Sequence, residues 1–167
     1  MESEVKVIPD QKLAVINYKG PISDLDILIS KLMGWVDAED IDVDGEPFIV
    51  YFSPRHEVNQ GEAVFDVSIA IKEDADEKDI IRVVDMLEHK VLSAKHFGST
   101  DNILDTYADL VDVAQANNYD IIGSPKEILI KSFFNCDDEK DFITEIQLPI
   151  IEMWFLWLEK KRILMKN

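Results

Sequence analysis

Apolar and polar positions divide the chain into stretches with a period of two and stretches with a period of about 3.6 residues. A run rich in β-branched residues, Val5 to Tyr18, predicts a strand. Pro9-Asp10 sits within it at a bulge or an edge, because proline donates no ladder hydrogen bond. The run ends at Gly20-Pro21. Apolar side chains at Ile22, Leu25, Leu28, Ile29, Leu32, Met33 and Val36 then recur at helical spacing and predict one buried helix face. Ser23 and Asp24 offer N-cap oxygens. Pro47 to Ser53 and Glu62 to Lys72 predict two strands joined by a hairpin loop. In the second, Phe65, Val67, Ile69 and Ile71 share one face and Val64, Asp66 and Ser68 the other.

The same order then returns. Leu87 to Phe97 predicts a strand ending at Gly98, and Ser99 or Thr100 caps a helix whose apolar face is Ile103, Leu104, Tyr107, Leu110, Val111 and Ala114. Strands Glu127 to Phe133 and Phe142 to Ile150 follow, with a turn over Cys136 to Lys140. The copies align at an offset of 78, which places Tyr18-Lys19-Gly20 on His96-Phe97-Gly98, Phe48 to Phe52 on Lys126 to Ile130, and Val64-Phe65 on Phe142-Ile143. The expected fold class is α+β: a duplicated strand-helix-strand-strand repeat with pseudo-twofold symmetry, two antiparallel sheets each with a helix, plus a C-terminal helix. Repeat one covers 5–72 and repeat two 87–150, within a single domain 1–152. The linker 73–86 includes a helical turn from Asp79 to Val84, and 153–167 form an aromatic-basic helix.

Charge narrows the function. Seventeen Lys and Arg against 34 Asp and Glu give a formal charge of -17, which repels a phosphate backbone, so no direct nucleic-acid partner is expected. Residues 153–167 carry a net +3, leaving -20 on the remainder. The single Cys136 excludes an intramolecular disulfide and a multi-cysteine zinc site. No 18-residue apolar run exists and the N-terminus is acidic, so no membrane span or signal peptide is expected and the chain reads as cytoplasmic.

The order and spacing of Val5 to Gly20 (VKVIPDQKLAVINYKG), Ala94 to Tyr107 (AKHFGSTDNILDTY) and Thr144 to Pro149 (TEIQLP) make residues 4–151 resemble the GyrI-like small-molecule-binding domain. That domain is also the effector-binding part of AraC-type and MerR-type multidrug-responsive transcription regulators. The resemblance implies a pocket near the pseudo-twofold axis, lined by aromatics and closed by an acid that meets lipophilic cations. The family's pocket glutamate on the last strand matches Glu145. No helix-turn-helix segment accompanies the resemblance here, so direct transcription control is not expected.

Glu145 lies among apolar strand positions, where lost solvation raises a carboxyl pKa unless a cation enters. Tyr51, Phe65, Tyr107 and Trp35 are the aromatic lining candidates, with plain core packing as the competing reading, above all for Trp35. His96, matched to Tyr18, is a further ligand-binding candidate, against a hydrogen-bonded core role. Asp66 reads as solvated. Asp40-Ile41-Asp42-Val43-Asp44-Gly45 opens like a calcium loop, but Tyr51 stands where the bidentate glutamate is required, so no metal is expected. Cys136 beside Asp137, Asp138 and Glu139 is poorly activated as a nucleophile. No acyl-transfer, nucleotide or dinucleotide motif occurs and no cofactor is expected.

The leading expectation is therefore binding of small hydrophobic, cationic ligands, for sequestration or sensing. As implied by the resemblance, the alternatives are a hydrolase of strained cyclopropane-type electrophiles with Glu145 as its acid, or an acidic interaction protein that modulates a partner such as DNA gyrase. For the tail, with Trp154, Trp157 and Leu158 on one stripe, three roles stay open: sealing its own sheet, forming a homodimer, or seating on a partner or membrane surface.

Overall fold

The computed structural model describes residues 1–166, apart from the side chains of 153–157, so Trp154 and Trp157 lie outside the described residues. Strands β1 (Ser3–Ile8) and β2 (Gln11–Pro21) lead into helix α1 (Leu25–Ala38), then β3 (Phe48–Tyr51), β4 (Glu62–Ile71) and β5 (Arg82–Met86). Strand β6 (His89–Phe97) leads into α2 (Ile103–Ala116), β7 (Tyr119–Ile121), β8 (Lys126–Lys131), β9 (Ile143–Glu152) and α3 (Met153–Met165).

The strands form one antiparallel path, β1-β6-β9-β8-β3-β4-β2-β5, with β7 on β9 beside it. The expectation of two separate sheets is thus corrected. Strands β3 and β8 each end a half-sheet, and their free edges pair through Phe48↔Ile128, Ile49↔Glu127 and Val50↔Lys126. Backbone bonds Tyr51 N to Pro125 O (3.1 Å) and Leu129 N to Pro47 O (3.0 Å) extend the seam at both ends.

The first expected strand is in fact two, which part at Pro9-Asp10 and serve opposite ends of the sheet. Strand β1 pairs with β6 (Ser3↔Ala94 to Ile8↔His89), while β2 pairs with β4 and β5. The proline ends the ladder, and Asp10 Oδ1 accepts the Glu88 N–H at 2.7 Å, tying this turn to the one between β5 and β6. The expected helical turn at 79–84 is also corrected. Val83 and Val84 belong to β5, which covers the edge of β2 from Val15↔Arg82 to Gln11↔Met86. β-branched residues fit that pleated edge better than a short helix.

Separations along the chain are 78 for α1 against α2 and for β3 against β8. For β4 against β9 it is 79. Lys12 pairs with Ile71, and Lys90, 78 positions after Lys12, falls in register with Ile150, since Val91 pairs with Pro149. The expected match of Val64-Phe65 to Phe142-Ile143 is therefore shifted by one, and Asp66 stands at the position of Glu145.

Helices α1 and α2 lie on one face of the sheet. Leu28, Ile29, Leu32, Trp35 and Val36 of α1 pack with Ile16, Ile49, Tyr51, Phe65, Val67, Ile69 and Ile71. Ile103, Leu110 and Ala114 of α2 pack with Leu92, Ala94, Ile146, Leu148 and Ile150, while Leu104 is exposed. A smaller cluster of Leu13, Val15, Phe48 and Ala70 sits elsewhere, on the alternate strand positions that face away from the helices. Ser99 accepts the Asp101 N–H and so caps the 3-10 turn Thr100–Asn102 that leads into α2 rather than α2 itself, whereas Asp24 caps nothing and takes the Tyr18 hydroxyl instead. Gly20 permits this, since a Cβ there would meet the Tyr18 ring at 2.8 Å.

Leu32→Ala and Leu110→Ala each remove a fully buried side chain from one of the helix cores. Each should cost about 2–5 kcal/mol in denaturant unfolding.

Candidate functional site

Alternation along the strands divides the candidate residues between two faces. On β9, Ile146, Leu148 and Ile150 point to the α2 core, so Glu145 and Gln147 point to the face opposite α1 and α2. On β3 and β4, Tyr51 and Phe65 point to the α1 core. The structure thus does not bring Glu145 together with Tyr51, Phe65 and Tyr107, as a single pocket would require.

Glu145 is nonetheless buried, at 7% exposure. Lys6 Nζ lies 3.2 and 3.1 Å from its two oxygens, Ser93 Oγ donates at 3.0 Å and Gln147 Nε2 at 2.6 Å. Burial pushes this carboxyl up, but the hydrogen bonds from Gln147, Lys6 and Ser93, with the Lys6 charge, outweigh it and hold it below the ordinary carboxylate value. From the sequence this pKa is expected to rise unless a cation enters, and that cation is Lys6, from β1 of the same chain. A cavity of about 860 Å³ opens beside it, with Glu4, Lys6, His96, Phe97 and Thr106 in its wall. His96 is buried there, with Nε2 donating to Ser99 O and Nδ1 accepting from the Thr106 hydroxyl, both at 2.8 Å. Asp66 is half-buried and accepts from Asn17 Nδ2 at 2.8 Å; burial raises its pKa against that bond.

The aromatics gather around a different acid. Glu127, on the helix side of β8 at the seam with β3, is 2% exposed. Tyr107 of α2 donates to Glu127 Oε2 at 2.5 Å, and Arg55 Nε reaches the same oxygen at 2.6 Å. The Arg55 guanidinium lies over the Tyr51 ring, 4.7 Å from its centroid. Phe65 continues the wall, 6.3 Å from Tyr51 and 5.5 Å from Tyr18 between ring centroids. Burial and then the Glu127 charge push the Tyr51 and Tyr107 hydroxyls well above their ordinary range, so both stay neutral donors. Burial lowers the Arg55 pKa, but Glu127 more than offsets it and raises it overall, so the guanidinium stays charged. The result is a carboxylate in an aromatic box that already holds a cation.

Neither Glu127 nor Arg55 is evident from the sequence alone. In the sequence, Glu127 stands only as the first residue of a predicted strand, and Arg55 only as part of a hairpin loop. The available signal is that Glu127 shares strand phase with Leu129, which faces the core. Trp35 packs in the α1 core, as its competing reading held, and also borders a surface pocket of about 420 Å³ with Glu39, Ile41 and 74–78.

Lys126 is the third buried charge among the described residues, at 7% exposure on the face opposite α1 and α2. Burial lowers its pKa to about 8 against some support from Glu145, and its Nζ sits 4.4 Å from the Phe48 ring centroid. A lysine with a depressed native pKa destabilises the fold wherever it is charged in both states. Lys126→Met should therefore be more stable at pH 7, by on the order of 2–3 kcal/mol. In urea unfolding the gap should close as pH rises from about 8 to 10.5. Glu145 works in the opposite sense, adding stability above its unfolded pKa that is lost as pH falls through the lowered native value. Lys6→Met should thus cost about 1 kcal/mol at neutral pH, and the deficit should shrink under acid.

Comparison with known proteins agrees with this architecture. The C-terminal domain of EcmrR superposes with a TM-score of 0.80 at 19% identity, over 90% of this chain and 98% of that one. Against the EcmrR chain in a complex with DNA, the match covers only 57% of that chain. A hydrolase encoded by lin2189 of Listeria innocua superposes at 0.68 with 10% identity, over 90% of this chain and 92% of that one. SAV2435 bound to tetraphenylphosphonium superposes at 0.57 with 11% identity, over 92% and 96%. No protein of curated function matches the sequence. The sequence profile of the GyrI-like small molecule binding domain matches residues 1–151, and the chain belongs to that family.

Proposed function

We propose that this domain binds small hydrophobic cations in the box formed by Glu127, Tyr51, Tyr107 and Phe65, with Arg55 as a resident cation that a ligand displaces. The observation that carries the reading is the Arg55 guanidinium itself. It is planar, delocalised and weakly hydrated, and it lies on one aromatic face against one buried carboxylate. A lipophilic cation needs the same partners. Arg55 lies in the loop between β3 and β4, on a short 3-10 turn (Arg55–Glu57), so it can leave without unravelling a strand. The tetraphenylphosphonium complex of the similarly folded SAV2435 supports the ligand class.

This reading moves the site from Glu145 to Glu127. Among the described residues, Phe97 is the only Phe, Tyr or Trp in the wall of the Glu145 cavity, and the Glu145 carboxylate is committed to three donors. We also infer that the domain arose by duplication, which the matching registers of the β1–β6 and β5–β2 pairs support. Leu158, Ile163 and Leu164 of α3 are exposed, which supports a contact role for that helix, such as a homodimer interface. Among the described residues, no helix is long and apolar enough to cross a membrane.

Titration with tetraphenylphosphonium by calorimetry tests the site. Arg55→Met should tighten binding, because the ligand no longer displaces an internal ion and instead relieves an unpaired buried carboxylate. Glu127→Gln should weaken it by roughly tenfold or more, equivalent to about 1.4 kcal/mol. Glu145→Gln should leave it unchanged, and loss of binding in that variant alone would assign the site to the other face.

A further inference from the structure

The face of the sheet away from the helices holds a separate pocket of about 350 Å³, between the end of β5 and the strands β8 and β9. Its wall is apolar at Val50, Met86, Val91 and Pro149, and Glu88, His89 and Ser124 join Lys126 and Gln147 as its polar part. We propose that this pocket binds small apolar carboxylates, with Lys126 receiving the carboxylate and Gln147 accepting from an O–H or N–H beside it.

Two unmet groups point to that chemistry. Lys126 is buried, yet the acceptor its ammonium finds among the described residues is Met86 Sδ, at 3.9 Å. Thioether sulfur is a weak acceptor, and the Phe48 ring offers only its quadrupole. Glu145, the carboxylate that acts on Lys126 through space, is already held by Lys6, Ser93 and Gln147. The positive charge is therefore buried without a counterion in contact, a state that an incoming anion relieves.

The second group is Gln147. Its Nε2 donates to the Glu145 carboxylate at 2.6 Å, which fixes the amide orientation because a carboxylate only accepts. Its Oε1 is then left as a buried acceptor with no partner among the described residues. Lys126 and Gln147 are direct partners in the β8–β9 ladder, so their side chains leave the same face as neighbours. A ligand head small enough to span that pair can meet both groups. The single unpaired charge and apolar wall favour a monoanion with a hydrocarbon body over a phosphate, and the ammonium disfavours a cation.

Binding is coupled to pH through Lys126. Around it stand Glu145 of β9, held by Lys6 of β1, and Glu88 and His89 at the pocket rim after β5. The carboxylate favours the charged amine, which titrates at about 8, so affinity is full below that pH and falls as pH rises through it.

Calorimetric titration of the intact chain at pH 7 with hexanoate, 2-hydroxyhexanoate and hexylammonium tests the assignment. Hexanoate should bind, 2-hydroxyhexanoate should bind several-fold tighter, and hexylammonium, whatever it does at the Glu127 box, should not compete with hexanoate. Lys126→Met, which removes a buried charge and so keeps the fold, should weaken both acids by roughly tenfold or more. It should leave tetraphenylphosphonium binding intact, which separates this site from the Glu127 box. Gln147→Leu should erase the advantage of the hydroxy acid. In a His89→Gln background, where Lys126 is left to titrate, hexanoate affinity should fall between pH 7 and 10. Undiminished acid binding by Lys126→Met, displacement of hexanoate by hexylammonium, or a flat pH profile would each overturn the proposal.

Discussion

The antiparallel seam between β3 and β8 is the constraint on which the rest of the structure depends. Three residue pairs join two half-sheets, and the strand on one side begins with Lys126-Glu127. Because side chains alternate across a sheet, adjacent charges of opposite sign must leave on opposite faces. Both are buried there, where an uncompensated charge costs several kcal/mol. Partners from distant parts of the chain, or a depressed pKa, follow from that geometry.

The two faces resolve the cost differently. On the helix side, Glu127 is fully partnered by Arg55 and Tyr107, with Tyr51 stacked below the guanidinium. That closed group draws its members from the β3–β4 loop, β8 and α2, so it bridges the α1 and α2 cores. On the opposite side, Glu145 and Lys6 form their own closed set with Ser93 and Gln147, and this set leaves Lys126 outside it. The amine accommodates burial through its titration, which lies within two pH units of neutrality. One face therefore closes its buried charge within the chain, while the other keeps a buried amine that has no carboxylate in contact among the described residues, with a single layer of backbone between them.

Much of the fold was legible because the hydrophobic pattern is local. Both helices and the strands β3, β4, β6, β8 and β9 lie within a few residues of where periodicity placed them. Pro9-Asp10 was correctly read as an interruption, yet its consequence was not local. Whether a proline bulges one strand or separates two depends on which neighbours the flanking residues find, and β1 finds β6 more than 80 residues away. Strand β5 was missed for the same reason, since five residues become a strand only when β2 offers an edge.

The site divides along that line. The sequence by itself determined the family, the phase of each strand, and that a carboxylate at 145 and aromatics at 51, 65 and 107 were worth naming. Tertiary structure decided which acid the aromatics serve. Glu145 and Glu127 lie in neighbouring strands on opposite sides of the sheet, and only the β8–β9 register and the pairing of β3 with β8 set their faces and neighbours. A one-residue change of register would exchange their surroundings. Sequence periodicity fixes which residues share a face, but the hydrogen-bond partner of a buried charge is a long-range fact, supplied here by Lys6 and Arg55 from the far half of the chain.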